Sequence, residues 1–312
     1  MLLLIAKRLT FMLFTMFVVS VILFVLLNTE FAGDPATRVL GQFASDHQKE
    51  LWREEHGYND PLVVRYGRWL GGFVTGDLGT SIRFKAPVSE ILWPRLWNTA
   101  ILGFWAFAII IPVSLLFGIL SGMREGSKLD RSLSVVGILT TSVPEFASAV
   151  FFAAIFVFGL QWLPGTSSMS DGFDWTQLVL PVMVLVVYDF GYVARMTRAS
   201  MAEVMTSQYI RTAVLKGLPY KKVILGHALR NALIAPFTVI MLQINWLLSG
   251  VIVVEFYFAY KGFGALLLEA SLNNDIALLE ACAMIAVAVA VTTQMLADIG
   301  YTFLNPRIRF TK

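Results

Sequence analysis

The sequence predicts an all-α integral membrane protein with six transmembrane helices and both termini in the cytoplasm. Three observations carry that prediction: a composition too poor in charge for water, six apolar runs of spanning length, and a one-sided distribution of positive charge. Of the 312 residues, 57% are hydrophobic and only 14% are charged, and the mean hydropathy is +0.71. A soluble chain carries about 25% charged residues, so the solvent for much of this surface is a lipid bilayer. The single cysteine, Cys282, lies in an apolar run, which excludes an internal disulfide framework or a cysteine-rich metal site. It reads as a small core hydrophobe.

A bilayer core about 30 Å thick needs about 20 apolar helical residues. Six segments meet this, running roughly over Leu9–Leu27, Trp97–Leu120, Leu133–Leu160, Leu178–Val193, Leu233–Val254 and Leu279–Leu304. Lys7 and Arg8 before the first segment resemble the start of a secretory signal. Its uncharged run of about 19 residues is too long for one, and no small-x-small cleavage site follows, so a retained span is expected. With the N-terminus inside, the cytoplasmic segments hold Lys7, Arg8, Arg124, Lys128, Arg131, Arg195, Arg198, Arg211, Lys216, Lys221, Lys222, Arg230, Arg307, Arg309 and Lys312. These are 15 of the 24 Lys and Arg residues, against three acids on the same side, Glu125, Asp130 and Glu203. The positive-inside rule then sets the orientation.

The chain divides into a first span (1–27), an extracytoplasmic helical insertion (28–95) and a core of five spans (96–312). In the insertion, Ser45 and Gln48 form a capping box for "DHQKELWREEHG", a polar helix stopped by Gly57. Asp60 and Pro61 start a second helix, "PLVVRYGRWLGGFV", with Val64, Trp69, Leu70 and Phe73 as an apolar stripe. Two readings of this region stand side by side, a packed cap and a docking surface for a partner. For the second, Asp46, Glu50, Arg53 and Glu54 are the candidate contacts.

In the third span, "TSVPEF" places Pro144 where it removes a backbone hydrogen bond and kinks the helix, with Glu145 directly after it. In the fourth, "VVYDFGY" places Asp189 beside Gly191. Carboxylates at membrane depth are costly and face a cavity or a partner. Both acids are candidates to line a translocation path. The bland alternatives are a structural role for Glu145 and, for Asp189, a position near the cytoplasmic end reaching towards Arg195.

The segment "YIRTAVLKGLPYKKVILGHALRNALIAP", 209–236, joins two apolar runs on the cytoplasmic side and is far longer than a connection needs. Tyr209, Ile210, Ala213 and Val214 recur at helical spacing, Gly217 permits a left-handed turn, and Pro219 opens a second helix running into the fifth span. A helix-turn-helix there presents a knob to a cytoplasmic protein, where a solvated loop is the plain alternative.

This segment resembles the coupling loop, or EAA motif, of ATP-binding-cassette importer permeases in the form used by the dipeptide, oligopeptide and nickel branch. "TRASMAEVMTSQYIRTAVLKGL" (197–218) and "HALRNAL" (227–233) carry the likeness, with "GDP" at 33–35, "GDLGTS" at 76–81, "IVVEFYFAYKGFG" at 252–264 and "NPRIR" at 305–309. The resemblance implies a type I importer permease fold in the inner membrane, pairing with a second, homologous permease. It also implies two cytoplasmic ATPases that bind ATP and Mg, and an extracytoplasmic solute-binding protein; nucleic acid is not among the expected partners. The coupling loop spans about 196–232, with Tyr209, Ile210, Arg211, Thr212, Ala213, Lys216, Gly217 and Leu218 forming the coupling helix and its turn. Ala213 and Gly217 match the motif's Ala and Gly. Arg211 and Thr212 stand where other branches carry an acid, Asn305 stands where this branch often has Asp, and Asp189 has no usual counterpart. Cargo of this branch includes dipeptides, longer peptides, nickel chelates, opines and oligosaccharides.

The chain is not expected to be an enzyme or to hold a cofactor. The nearest P-loop lookalike, "GMREGSK" at 122–128, has three residues between its glycines where four are needed. The histidines, His47, His56 and His227, form no HExxH site, and His227 reads as a helix-surface contact. An ATP-independent secondary transporter or channel would also explain spans and buried acids, but such folds usually carry internal repeats, and none is evident.

Overall fold

A computed structural model of the chain describes residues 2–29, 34–170 and 172–304. "NPRIR", Gly33 of "GDP" and the last three cationic residues of the topology argument lie outside the described residues. Among the described residues, four helices are long and apolar enough to cross a bilayer: Ala6–Asn28, Val88–Gly122, Trp175–Met205 and Ile276–Gly300. Two bent pairs complete the set of candidate spans, Lys128–Ser142 with Glu145–Gly159 and Tyr220–Ala232 with Ile234–Ile244.

The described residues form two compact units. One comprises Met1–Thr99 with Lys261–Thr292. Its first helix, α1 (Leu2–Asn28), is apolar all round, as a lipid-facing span must be. Next come α2 (Pro35–Leu40), capped by Asp34, and α3 (Asp46–Glu55), which begins with the expected capping box between Ser45 and Gln48. In α4 (Leu62–Thr75), the rings of Trp69 and Tyr66 pack on Phe24 of α1, at 5.5 and 5.4 Å, and Phe73 follows Trp69 at 5.9 Å. Val64 departs from the expected stripe and is exposed, because α4 meets α1 through Arg65, Tyr66 and Trp69. Asp60 does not cap α4 either; its carboxylate is taken by Arg68 at 2.8 Å.

The core of this unit joins the start of α5 (Val88–Gly122) to α13 (Phe263–Leu272) and α14 (Ile276–Leu304). Leu92, Phe263, Leu266, Leu278 and Cys282 interlock there, so Cys282 is a core residue as its context predicts. The "GDLGTS" turn is pinned to the head of α14 by the buried Asp275. That carboxylate accepts bonds from Ser81 Oγ at 2.5 Å, from the Arg83 N–H at 3.1 Å and from the Leu278 N–H at 3.3 Å.

The other unit comprises Ala100–Tyr260 with Thr293–Lys312. It centres on α8 (Trp175–Met205), against which α6 (Lys128–Ser142), α7 (Glu145–Phe152) and α12 (Ile234–Tyr257) pack. Leu102, Ile110, Leu180, Leu185, Val251 and Phe258 are among its fully enclosed side chains. The expected kink in the third span is a break of 99° between α6 and α7. Val143, the residue before Pro144, is held in extended backbone, and Pro144 starts the new helix instead of bending the old one. Where α6 meets α8, the two backbones touch: a Cβ on Gly191 would stand 2.2 Å from the Gly137 carbonyl oxygen.

Candidate functional site

The segment after α8 folds as the helix-turn-helix its sequence predicts. The first helix, α9 (Gln208–Leu215), ends at Lys216 because Gly217 takes φ +75°, a conformation that penalises any side chain. The Leu218 N–H then donates to the Ala213 carbonyl at 3.3 Å and the Gly217 N–H to the Val214 carbonyl at 2.9 Å. These are the two bonds of a Schellman turn, with Leu218 supplying its apolar contact. The chain returns through α10 (Tyr220–Val223), a π-helical turn over Ile224–Ala228, and α11 (Leu229–Ala232). The second helix is therefore interrupted where an unbroken one was expected. It also meets α12 at a bend of 46°.

Packing divides the knob into two faces. Ile210 and Ala213 turn inward with Val223, Ile224, Ala228 and Ala232, against Met201 of α8 and Ile119 of α5. Of the four residues at helical spacing, Tyr209 and Val214 are exposed, and only Ile210 and Ala213 join the buried cluster with Met201. Outward, Tyr209, Val214, Leu215 and Tyr220 form an apolar surface in which Leu215 is 78% exposed. Arg211, Thr212 and Lys216 lie on the same open side. Asn231 Nδ2 donates to Tyr209 Oη at 3.1 Å and ties α11 to α9.

Just before the knob, Asp130 is buried and gripped by Arg198 through Nε at 2.7 Å and Nη2 at 2.8 Å. It also accepts from Ser121 Oγ and from the Gly126 N–H at 2.9 Å. This bidentate clamp binds α8 to the first turn of α6. The sequence reading counts both residues only as topology charges. The signal that could have found them is an acid beside two glycine-flanked span ends, which is weak.

Within the same unit, Asp189 is 0% exposed and accepts a hydrogen bond from Gln243 Nε2. Its other carboxylate oxygen is buried with no hydrogen-bond partner among the described residues. It lines a cavity of about 200 Å³ with Thr141, Tyr188, Tyr192, Arg195 and Gln243. The reach of Asp189 towards Arg195 is corrected: the Arg195 Nε donates to the Gly191 carbonyl at 3.3 Å, and no ion pair joins the two. Glu145 heads α7 just past the 99° break and is half-buried, on a helix that packs against α8, which carries Asp189. The two candidate path acids are thus brought together. Gln243 was not legible, since a neutral amide 54 residues away carries no spacing signal.

On α3 the candidate docking residues are separated by their partners. Asp46 and Glu54 are exposed. Glu50 is held by Arg53 at 3.0 Å and by Asn59 Nδ2 at 3.2 Å. Arg53, expected as an open contact, is instead turned inward to Asp34 at 3.0 Å. Burial pushes the Asp34 carboxyl up, but the bonds from Thr37 and Arg53 outweigh it and hold it below the ordinary aspartate value.

A helical chain with several candidate spans, an apolar-faced knob beyond the end of one of them and paired acids in its helical core has the make-up of a membrane transport subunit. The family profile described as "Binding-protein-dependent transport system inner membrane component" matches residues 114–310, and its N-terminal companion matches residues 1–99. The chain belongs to this family of binding-protein-dependent inner membrane components, and is the permease part of such a system. Among its relatives, a putative peptide transport system permease protein of Brucella abortus (strain 2308) is 35% identical over 311 residues, covering 98% of this chain and 99% of the relative. The oligopeptide transport system permease protein AppB of Bacillus subtilis (strain 168) is 33% identical, covering 94% of each chain. The dipeptide transport system permease protein DppB of Alkalihalophilus pseudofirmus is 34% identical, covering 89% of this chain and 91% of its own.

Proposed function

We propose that this permease carries di- or oligopeptides inward, driven by ATP hydrolysis on two partner subunits that seat on the knob at 209–218. A second, homologous permease completes the path, a solute-binding protein delivers the cargo on the side of α3 and α4, and both termini face the cytoplasm. The names of the full-length relatives support the cargo class. The observation that carries the coupling role is the two-faced knob. Its inner face is locked onto α5 and α8 while Tyr209, Val214, Leu215 and Tyr220 stay open for a partner's groove. A stiff helix set on span ends transmits displacement that a loose loop would absorb.

Replacing Gly217 by Val tests this. A β-branched residue held at φ +75° costs about 1–3 kcal/mol, enough to displace the turn while the spans remain inserted. In vesicles containing the assembled transporter, Gly217→Val is expected to retain ATP hydrolysis and to lose uptake. Uptake at the unmodified rate would overturn the coupling role.

A further inference from the structure

Where α1 ends and α14 begins, α3 and α4 close over a cavity of about 480 Å³, the size of a small-ligand site. The rings of Phe24, Trp52, Tyr58 and Trp69 form its walls. Glu280 lines it from α14 and is only 3% exposed. Its one hydrogen-bond donor among the described residues is the Asn28 amide. Asn28 cannot turn away: its Oδ1 accepts from Tyr58 Oη and from Arg65 Nη2, both at 3.0 Å. Arg65 is itself committed, with its guanidinium 3.9 Å over the Tyr58 ring. No described cation forms an ion pair with Glu280; Arg65, which lines the same cavity, acts on it only through space, so a buried carboxyl group with several acceptor positions meets one direct donor, the Asn28 amide. At the rim, Arg68 lines the same cavity with its side chain 62% exposed and, among the described residues, held by Asp60 alone.

We propose that this cavity binds a small zwitterion, an amino acid or short peptide, with its ammonium on Glu280 and its carboxylate on Arg68. The ammonium supplies the direct ion-pair partner that Glu280 lacks. The guanidinium fork of Arg68 can hold a carboxylate through two parallel bonds. The packing role of the same residues, tying α1 to α14 through Asn28, explains the amide but not the remaining acceptor positions of Glu280 that face open space. The choice of a short peptide rests on the proposed cargo, but the test reads binding at Glu280 and Arg68 and the coupling test reads uptake, so the two failures are distinguishable.

The test is a titration of the full chain in lipid nanodiscs with alanyl-alanine, read by tryptophan fluorescence, since Trp52 and Trp69 stand in the wall. N-acetyl-alanyl-alanine, without the ammonium, and alanyl-alanine amide, without the carboxylate, are titrated alongside. Saturable binding is expected, weakened about tenfold or more by acetylation and by Glu280→Gln. Amidation should weaken it about threefold in the unmodified protein, and not at all in Arg68→Ala, where the carboxylate has already lost its partner. Arg68 is exposed, so this second arm survives if Glu280→Gln fails to fold. Equal binding of the acetylated peptide, an amidation effect that persists in Arg68→Ala, or no saturable signal overturns the proposal.

Discussion

Asp189 sits in surroundings that its type does not prefer. A fully buried carboxylate with one amide donor and one bare oxygen is retained at a cost to stability, which points to a use. Glu145 heads the neighbouring helix α7 at a start created by Pro144, while Asp189 itself lines the 200 Å³ cavity, where a cationic group would meet it. If they serve the path, Glu145→Gln should lower uptake of cationic peptides while assembly and basal ATP hydrolysis stay intact. Asp189→Asn should do the same, with an unchanged or higher melting temperature because an uncompensated charge is removed. Unchanged uptake of cationic and neutral peptides in both variants would return the pair to a packing role. The sequence already marked both acids by their depth in apolar runs. It could not mark Gln243, nor that Arg195 turns to a backbone carbonyl, because partner choice among polar side chains is decided by tertiary packing.

At the scale of elements, legibility followed the strength of the local signal. Four spans were readable from length and hydropathy because a long apolar helix needs no information from its neighbours. The third and fifth carry breaks that only packing sets. Pro144 announces an interruption, yet the 99° angle depends on how α6 and α7 each lie against α8, and the π-helical turn at Ile224–Ala228 has no residue that marks it. The closest of these contacts is the backbone approach of Gly191 to Gly137, which small residues alone permit. Gly191→Ala would place a methyl 2.2 Å from a carbonyl oxygen and 2.4 Å from Thr140 Oγ1, forcing the helices apart. The expected loss is about 1–3 kcal/mol or more, seen as a lower melting temperature in detergent. Gly226→Ala, where a Cβ meets nothing within 4 Å, should leave it unchanged. Equal melting of both variants would show that α6 and α8 separate freely, contrary to the close packing.

For the whole molecule, the question is how a chain so poor in charge addresses its soluble partners. Its charge is concentrated in short extramembranous pieces, the basic knob among them, and α3 is one of the acidic ones. The partners of the α3 residues decide which of them can reach outward. Arg53 is spent on Asp34 and Glu50, so Glu50→Lys would break an internal ion pair worth at most about 1 kcal/mol before it tested any docking. Asp46 and Glu54 are exposed without an ion pair among the described residues, and they make the cleaner probe. If α3 receives the binding protein, the double variant Asp46→Lys, Glu54→Lys should weaken binding-protein-stimulated ATP hydrolysis several-fold at low salt. The difference should shrink as added salt brings the Debye length down to about 3 Å at 1 M, because contacts between exposed charges act mainly on encounter. Stimulation that is unchanged at low salt would make α3 a cap over the rings of α4 and place the docking surface on another part of the chain.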